Sequence, residues 1–469
     1  MHMTLPSNTL ATASISAVEQ TNLDDAPAGS NLDSAATRRN FIKGSSLLLA
    51  GGAMAGTLPV ARAAHPYGSD VIKIGLIGCG GRGTGAASQA MNTTGGDVRL
   101  AAMGDVFEDR LQQAYRSLQG QYKDKMDVTD ETRFVGMDAY KRVLDTNCDL
   151  VILATPPGFR PLHFEAAVEA GKQIFAEKPV ATDAPGVRRF LAANEKAKAK
   201  GLAVAVGLQR HHEVAYKETI DKLKEGAIGD INFCRCYWNQ EGLWVRNRQE
   251  GQSELEYQMR NWYYFNWLCG DHIVEQHIHN LDVINWLMGG PPAKAEGMGG
   301  RQVRTGKEFG QIYDHHAVEF TYPNGAKSLS MCRHIPGCWN SVSEFAHGSK
   351  GWCDISGAKI YDNDNKLVWK REGNRDGHQE EHHDLFRQLR AGEKPAEGQY
   401  GAESTMTAIM GRMATYSGKE LTWDQVLNSE LHLADFDSIK SLQDKAPLEP
   451  DADGNYEVIQ PGGNIKKVL

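Results

Sequence analysis

The sequence lacks the features that mark several common classes of protein. It has no basic tract, and its 51 basic and 59 acidic residues give a net charge of −8, so we expect no nucleic-acid partner. Its eight cysteines are dispersed over 469 residues without a C-x-x-C pair, which excludes a small scaffold stapled by disulfides. We expect most of them to be buried as small apolar residues, and the spacing leaves open whether Cys332 and Cys338 pair. Internal repeats are absent too, and the length predicts two or three domains.

Long apolar runs are also missing. The mildly apolar stretch at residues 44–60 is short and interrupted by glycines, so we expect no membrane span in the mature chain. It follows Arg38-Arg39-Asn40-Phe41 and precedes Ala61-Arg62-Ala63, an order that resembles a twin-arginine export signal with its cleavage site. The alternative is a chance arginine pair before a hydrophobic anchor. We predict that residues 1–63 are a signal peptide with a leader and that the mature protein is periplasmic.

The sequence does contain a glycine turn between an apolar run and an alanine-rich segment. Residues 72–77 predict a strand, and Gly78, Gly80 and Gly83 after it fit G-x-G-x-x-G. Gly78 permits the turn, Gly80 lets the backbone approach a pyrophosphate, and Gly83 lets helix and strand pack closely. The helix N-terminus then offers unpaired N–H groups to the phosphates. The residues assigned to this phosphate-binding loop are Gly78, Cys79, Gly80, Gly81, Arg82 and Gly83.

A second apolar run ends at a carboxylate. It spans residues 98–103 and leads into Gly104-Asp105, which places Asp105 22 residues beyond Gly83. A carboxylate at this spacing accepts hydrogen bonds from a ribose 2′-OH and repels a 2′-phosphate, so the pattern predicts NAD rather than NADP as the cofactor. The alternative is a glycine-rich βα turn without a ligand.

Strands and helices alternate up to about residue 210. Further buried strands are predicted at residues 150–154, 173–176 and 202–207, with helices between them. These strands lead into Thr155-Pro156-Pro157, Glu177-Lys178-Pro179 and Gln209. Such alternation predicts a doubly wound parallel sheet of the Rossmann type, with ligands at the carboxyl ends of its strands. We assign residues 64–210 to this NAD-binding domain.

The pattern changes beyond residue 210. A helix is predicted from His272 to Met288, and strand-like runs are predicted at 231–238, 293–298, 316–322, 326–334, 342–346 and 351–361. We assign residues 211–445 to a second, α+β domain with an open, mostly antiparallel sheet. Residues 446–469 are predicted to form a C-terminal extension on the surface or an arm around a partner. Aromatic side chains between 239 and 270, such as Trp244 and Trp262, are able to stack on a sugar or to join a core or interface.

Several of these elements together resemble a known family. The glycine turn, Ala154-Thr155-Pro156-Pro157, Glu177-Lys178-Pro179 and His279-Asn280-Leu281-Asp282 occur in this order. They resemble the Gfo/Idh/MocA family of NAD(P)-dependent sugar oxidoreductases, named after glucose–fructose oxidoreductase and inositol dehydrogenase, over roughly residues 70–420. The resemblance implies a Rossmann domain followed by an open sheet domain whose outer face commonly forms an oligomer interface. We therefore expect a homo-oligomer, either a dimer or a tetramer.

By this resemblance three side chains carry the chemistry. Lys178 is expected beside the nicotinamide and the substrate hydroxyl, and the family's D-x-x-x-H pair corresponds to Glu275 and His279. His279 would take the hydroxyl proton as hydride leaves the adjacent carbon, and the Lys178 ammonium should lower the pKa of His279. Glu275 is one methylene longer than the usual Asp, so it either orients His279 or contacts the sugar. The remaining predicted cofactor residues are Thr155, Pro156, Pro157, His163, Glu177, Lys178 and Gln209.

We predict no metal site. His378 and His382 have the i, i+4 spacing of zinc motifs, but we interpret them as part of a helix that packs at a domain seam.

The predicted function is an exported, NAD-dependent oxidoreductase that acts on CH–OH groups of a small carbohydrate: a sugar, a cyclitol or a glycoside. The periplasm offers no obvious nicotinamide pool, so we expect NAD to be loaded before export and held tightly. One alternative is an NAD-dependent glycoside hydrolase or lyase that works by transient oxidation, elimination and reduction. The other is a nucleotide-binding protein without catalytic activity.

Overall fold

The computed structural model of the chain describes residues 71–469. The predicted signal peptide and leader, residues 1–63, therefore lie outside the described residues, and so does the start of the predicted first domain. Within the described residues no helix is both long enough and apolar enough to cross a bilayer.

The first sheet confirms the predicted Rossmann architecture. Neighbouring residues of one strand, such as Val151 and Ile152, belong to two different buried apolar clusters, so both faces of the sheet are covered. The strands are β1 Val71–Ile77, β2 Asp97–Asp105, β3 Arg133–Val135, β4 Leu150–Leu153, β5 Gln173–Ala176 and β6 Val204–Val206. They pair in parallel in the order β3-β2-β1-β4-β5-β6, so the strand order reverses beside β1.

Helices connect these strands at the places that the sequence predicts. The helix after β5 begins at an N-cap, Asp183, whose side chain accepts a hydrogen bond from the Gly186 backbone N at 2.8 Å. The helices are α1 Gly81–Met91, α2 Glu108–Tyr122, α3 Ala139–Leu144, α4 Arg160–Glu169, α5 Ala184–Ala199 and, after β6, α6 Val214–Lys224.

The second sheet has nine strands and is mostly antiparallel, as predicted. The strands are β7 Ile231–Gln240, β8 Lys294–Gly300, β9 His315–Thr321, β10 Lys327–His334, β11 Ser341–Gly348, β12 Gly351–Asp354, β13 Lys359–Asp362, β14 Leu367–Lys370 and β15 Leu421–Thr422. Their order is β14-β13-β12-β11-β7-β10-β9-β8-β15, and β7 and β10 pair in parallel. The single strand predicted at 351–361 is wrong, because a turn at 355–358 divides it into β12 and β13.

The helix predicted from His272 to Met288 is interrupted. The structure has α9 His272–Glu275 and α10 Ile278–Met288, preceded by α7 Glu254–Arg260 and α8 Asn266–Cys269. At the break the His277 backbone N bonds the carbonyl of His272, five residues back, and the Gln276 side chain accepts a bond from the His334 ring. Glu275 and His279 therefore lie on two short helices rather than on one continuous helical face.

The C-terminal helices return to the first domain. They are α11 Gly377–Arg390, which packs on α1, α12 Gly398–Ser417, which packs on α5, and the short α13 Trp423–Leu427. The segment that follows α13 packs against the rest of the same chain. The centre of the Phe436 ring is 5.0 Å from that of Phe159, and the centre of the Tyr456 ring is 4.9 Å from that of Phe265. All eight cysteines are unpaired, seven of them buried and Cys338 exposed.

We predict that Gly83→Ala loosens the first βα turn and that Gly81→Ala does not. A Cβ at Gly83 would lie 2.0 Å from the carbonyl oxygen of Gly78, whereas a Cβ at Gly81 meets nothing within 4 Å. Overpacking of this kind lowers the free energy of unfolding by about 1–3 kcal/mol. Urea unfolding of both variants, with NAD titration of the folded proteins, checks this. Equal stability and equal NAD affinity in the two variants would contradict the assigned packing role.

Candidate active site

A cleft of about 460 Å³ opens at the carboxyl ends of the first-sheet strands. Its floor comes from the first domain, and its other wall comes from the segment that follows β7. Part of the predicted site lines this cleft, namely Gly78, Gly80, Gly81, Arg82, Asp105, Thr155, Pro156, His163 and Glu275. The topology therefore brings most of the predicted cofactor residues to one place.

The glycine turn leaves open backbone at the start of α1. A Cβ at Gly80 or Gly81 would meet no atom within 4 Å, so these positions leave room for a phosphate beside the helix N-terminus. Arg82 follows them and holds the buried Glu177 carboxylate, with its Nε 2.6 Å from Glu177 Oε1. Glu177 therefore holds the Arg82 side chain in place but does not itself line the cleft.

Hydrogen bonds from two backbone N–H groups hold the Asp105 carboxylate in place. Its Oδ2 accepts a hydrogen bond from the Cys79 backbone N at 2.6 Å, and its Oδ1 accepts one from Phe107 N at 2.8 Å. Burial raises the pKa of Asp105, and these two backbone donors oppose that rise. Cys79 enters the site through its backbone alone, because its side chain is buried away from solvent.

Thr155 and His163 form a pair on the floor of the cleft. The Thr155 Oγ1 lies 3.0 Å from His163 Nδ1, and the His163 ring stacks on Tyr140 at 4.2 Å. Burial, with the nearby Arg160 charge, lowers the pKa of His163 to about 3, so the ring is neutral. His163 therefore orients Thr155. Pro157 is buried behind Pro156 and does not line the cleft.

Lys178 joins the two domains. Its ammonium, at the end of β5, donates to the Glu275 carbonyl oxygen at 2.7 Å and to Glu275 Oε1 at 3.0 Å. Both side chains are 13% exposed, and Glu275 lines the cleft whereas Lys178 lies behind it. The contact fixes the ammonium beside the last residue of α9.

His279 lies at the same seam as a neutral base. Its side chain is buried, its ring stacks on Trp238 at 5.8 Å, and its Nδ1 has no hydrogen-bond partner among the described residues. Burial, followed by the Lys178 charge, lowers the pKa of His279 well below its usual value. The predicted effect of Lys178 is thus present, but burial is the larger cause.

Several predicted site residues are not part of the cleft lining, among them Lys178 and His279. Gln209 starts a turn after β6 and lies against Gly377, away from the cleft lining. His378 and His382 do not converge on a common ligand, because the His382 ring packs 4.4 Å from Phe175 in the core of the first domain.

Residues 243–263, called here the roof segment, include Trp244 and Trp262, for which the sequence left a sugar-stacking role open, and cleft-lining residues that the sequence did not indicate, such as Arg260. Arg260 lies 4.0 Å over the Phe107 ring and pairs with Asp109 at 3.1 Å. The aromatic composition of the roof segment was the signal available in the sequence, but only the fold shows that the segment lies across the crevice. The cleft-lining members of this segment are Leu243, Trp244, Arg246, Met259, Arg260, Trp262 and Tyr263.

Arg160 is a second functional residue that sequence reasoning missed. It is buried and donates to the Glu177 carbonyl at 2.6 Å and to the Thr155 carbonyl at 2.8 Å. Because these carbonyls follow β4 and β5, the guanidinium ties the two strand ends together beneath the cleft. Burial lowers the pKa of Arg160 to about 10, which leaves it charged at neutral pH.

Two family models match the chain. The model of the oxidoreductase family with an NAD-binding Rossmann fold matches residues 72–208, and the model of the GFO/IDH/MocA C-terminal domain matches residues 216–354. Together they cover more than half of the chain, and the first identifies the N-terminal domain as NAD-binding.

Curated relatives include scyllo-inositol 2-dehydrogenase (NAD(+)) of Bacillus subtilis (strain 168), which is 25% identical over 49% of this chain and 57% of that protein. Myo-inositol 2-dehydrogenase of Thermotoga maritima is 23% identical over 74% of this chain and 97% of that protein. The chain spans about half the length of three relatives, the Bacillus protein among them.

Solved structures show the same fold. Aldose-aldose oxidoreductase from Caulobacter crescentus, complexed with glycerol, has a TM-score of 0.59 and 18% identity over 75% of this chain and 99% of that chain. Scyllo-inositol dehydrogenase from Lactobacillus casei, with bound NAD(H) and scyllo-inositol, has a TM-score of 0.57 and 18% identity over 76% and 99% of the two chains. With two domain models matched in the order of its two sheets, the chain belongs to the Gfo/Idh/MocA oxidoreductase family.

Proposed function

We propose that the protein is an NAD-dependent oxidoreductase that moves hydride between a ring CH–OH group of a cyclitol or sugar and the nicotinamide. The observation that carries this proposal is the contact of the Lys178 ammonium with Glu275, which lines the cleft, while the charge of the same ammonium lowers the pKa of the buried His279. The names of the relatives, several of which are inositol dehydrogenases, support a polyol ring as the substrate class.

The residues present fit the cofactor. The open backbone at Gly80 and Gly81 leaves room for its phosphates, and Asp105 lines the crevice where a ribose would lie. Bound NAD supplies the hydride acceptor.

The remaining chemistry belongs to side chains of the chain. Lys178 donates a hydrogen bond to the reacting hydroxyl oxygen, which stabilises the negative charge that develops there. His279 takes the hydroxyl proton at a ring nitrogen, which its lowered pKa leaves free to act as a base. Glu275 holds the ammonium of Lys178 in place through its carbonyl and its carboxylate.

We further infer that NAD stays bound through the catalytic cycle and that the protein is exported. The Arg38-Arg39 motif supports export by the twin-arginine route, which carries folded proteins. The roof segment supports retention, because Arg260 fastens it to Phe107 and Asp109, just beyond the ribose-binding carboxylate. Retained NAD would require a second substrate to restore its redox state in place.

Assembly into a dimer or tetramer belongs to the same proposal. Large apolar side chains of the second sheet are exposed, with Met298 on β8 at 76% and Val342 on β11 at 42%. Apolar patches on an open sheet are typical of protein interfaces. The glycoside-cleaving and non-catalytic alternatives gain no support from the relatives described above, which are named as dehydrogenases and oxidoreductases.

We predict that His279→Asn and Lys178→Met each lower kcat/KM by at least about 100-fold, the usual contribution of a positioned acid or base. The assay is the rate at which a panel of inositols and sugars reduces the enzyme-bound NAD, followed by the absorbance of the reduced nicotinamide, with product identification by mass spectrometry. His347→Asn and Lys217→Met serve as matched controls, because the partners of these side chains are Arg235 and Asp384 rather than Glu275. Unchanged turnover in both site variants would contradict the proposal. Release of an aglycone without NADH would favour glycoside cleavage.

The pH profile should report the neutral state of His279. Its pKa in the folded protein lies well below the ordinary histidine value of 6.5, so the base stays deprotonated as the pH falls to 6.5. We expect kcat/KM to remain level between about pH 8 and 6.5 and to fall only at lower pH. A loss of half of the activity near pH 6.5 would mean that the pKa of His279 is unperturbed or that His279 is not the base.

We predict that Arg260→Ala speeds NAD release about tenfold, because it removes a cation–π contact and a partly shielded ion pair that close the roof segment. Stopped-flow displacement of bound NAD measures the rate. Arg371→Ala is the control, since Arg371 pairs with Glu218 and has a side chain that is 24% exposed, close to the 26% of Arg260. Identical rates of NAD release in the two variants would show that the roof segment does not retain NAD.

A further inference from the structure

We propose that Asp271, His272 and His316 bind a divalent transition-metal ion that is separate from the cofactor cleft. One carboxylate oxygen and two imidazole nitrogens from these residues lie within 4.8 Å of one another. All three side chains are completely buried. None of the three lines the cleft, so the cluster is a feature of the second domain in its own right.

Three of the four imidazole nitrogens in this cluster lack hydrogen-bond partners among the described residues. Neither ring nitrogen of His272 has one among the described residues, although Nδ1 lies 2.9 Å from Asp271 Oδ1. The Nε2 of His316 lies 3.3 Å from the same oxygen and is also without a hydrogen bond. Buried imidazoles normally find partners, because an unpaired polar atom in the interior is costly. A bound cation would satisfy these atoms together.

The outer contacts of the cluster are those that metal ligands usually have. His316 Nδ1 lies 2.9 Å from Thr415 Oγ1, which leaves Nε2 to face the cluster. The second oxygen of Asp271 accepts hydrogen bonds from Tyr416 OH at 2.6 Å and from the Tyr313 backbone N at 3.0 Å. Such partners orient ligating side chains and fix which atom faces the metal.

The donor set selects the kind of ion. Two imidazole nitrogens with one carboxylate suit zinc and neighbouring transition metals, whereas calcium and magnesium prefer oxygen ligands. The nearby buried cation, Arg412, donates through Nη1 to the carbonyls of Thr182 and Gly270. Arg412 therefore does not occupy the Asp271 carboxylate, whose cluster-facing Oδ1 accepts one backbone hydrogen bond, from His272 N at 2.5 Å.

His334 stacks on His272 at 4.3 Å but does not complete the donor set. Its Nε2 lies 2.7 Å from the side-chain oxygen of Gln276, so that nitrogen is already engaged. The ring closes one side of the cluster instead. A fourth ligand would therefore come from water, as in many three-residue zinc sites.

The position of the cluster indicates a structural role. Asp271 caps α9 with a φ of 77°, and α9 ends four residues later at Glu275, the partner of Lys178. His316 belongs to β9. The ion would thus fasten α9 to the second sheet and steady the Glu275–Lys178 contact. The proposal departs from the sequence-based expectation of no metal site, since histidines 44 residues apart give no local motif.

Elemental analysis of the full chain, purified without metal-affinity chromatography, tests the proposal independently of activity. After reconstitution with Zn²⁺ or Co²⁺ and extensive dialysis, we expect about one ion per wild-type chain. Cobalt in this site should show visible d–d absorption. His272→Ala and His316→Ala should each lose the ion, whereas His347→Ala, which alters a histidine outside the cluster that bonds Arg235, should keep it. A wild-type chain that retains less than about a tenth of an ion overturns the proposal.

A second measurement covers variants that fail to fold. Removal of metal from the wild-type protein with a chelator should lower its melting temperature, and added Zn²⁺ should restore it, because an ion that binds only the folded state stabilises it. The same chelator should not change the melting temperature of folded His272→Ala protein. No shift in the wild type, or retention of metal by both cluster variants, overturns the proposal.

Discussion

The site depends on one ion pair across two domains. Lys178 stands at the end of β5 in the first sheet, and Glu275 ends α9 in the second domain. Two hydrogen bonds hold the ammonium to Glu275, so the relative position of the domains at the cleft is set where catalysis is proposed. Behind it, Arg160 ties together the carbonyls that follow β4 and β5. Lys178 and Arg160 thus hold the site in place by donating hydrogen bonds to backbone carbonyl oxygens.

The surroundings of His279 keep its ring unprotonated, as its proposed role as a base requires. Burial and the neighbouring ammonium both lower the pKa of His279. The adjacent Asn280 anchors α10 by donating to Glu344 Oε1 at 2.6 Å, and the same carboxylate is paired with the buried Arg210. A buried ion pair with several hydrogen bonds limits the freedom of the helix that carries the base.

The first domain could be predicted from the sequence because its signals are local. The apolar runs of β1, β2 and β4 lead into residues that line the cleft, and the turn glycines stand where a Cβ would collide or where phosphate needs room. The second domain was less predictable. The break at Gln276 arises from bonds to His334, a residue on a distant strand, which helical periodicity does not reveal. The roof segment, the return of α11 to α1 and the Asp271 cluster likewise depend on long-range packing.

The central claim is that Lys178 and His279 act together on one hydroxyl group. A crystal structure of the protein with NAD and the polyol that it oxidises tests this most directly. The account predicts one substrate hydroxyl within about 3 Å of both Lys178 Nζ and a His279 ring nitrogen, with the nicotinamide beside the carbon that bears it. A polyol bound elsewhere, with Lys178 still hydrogen-bonded only to Glu275, would contradict it.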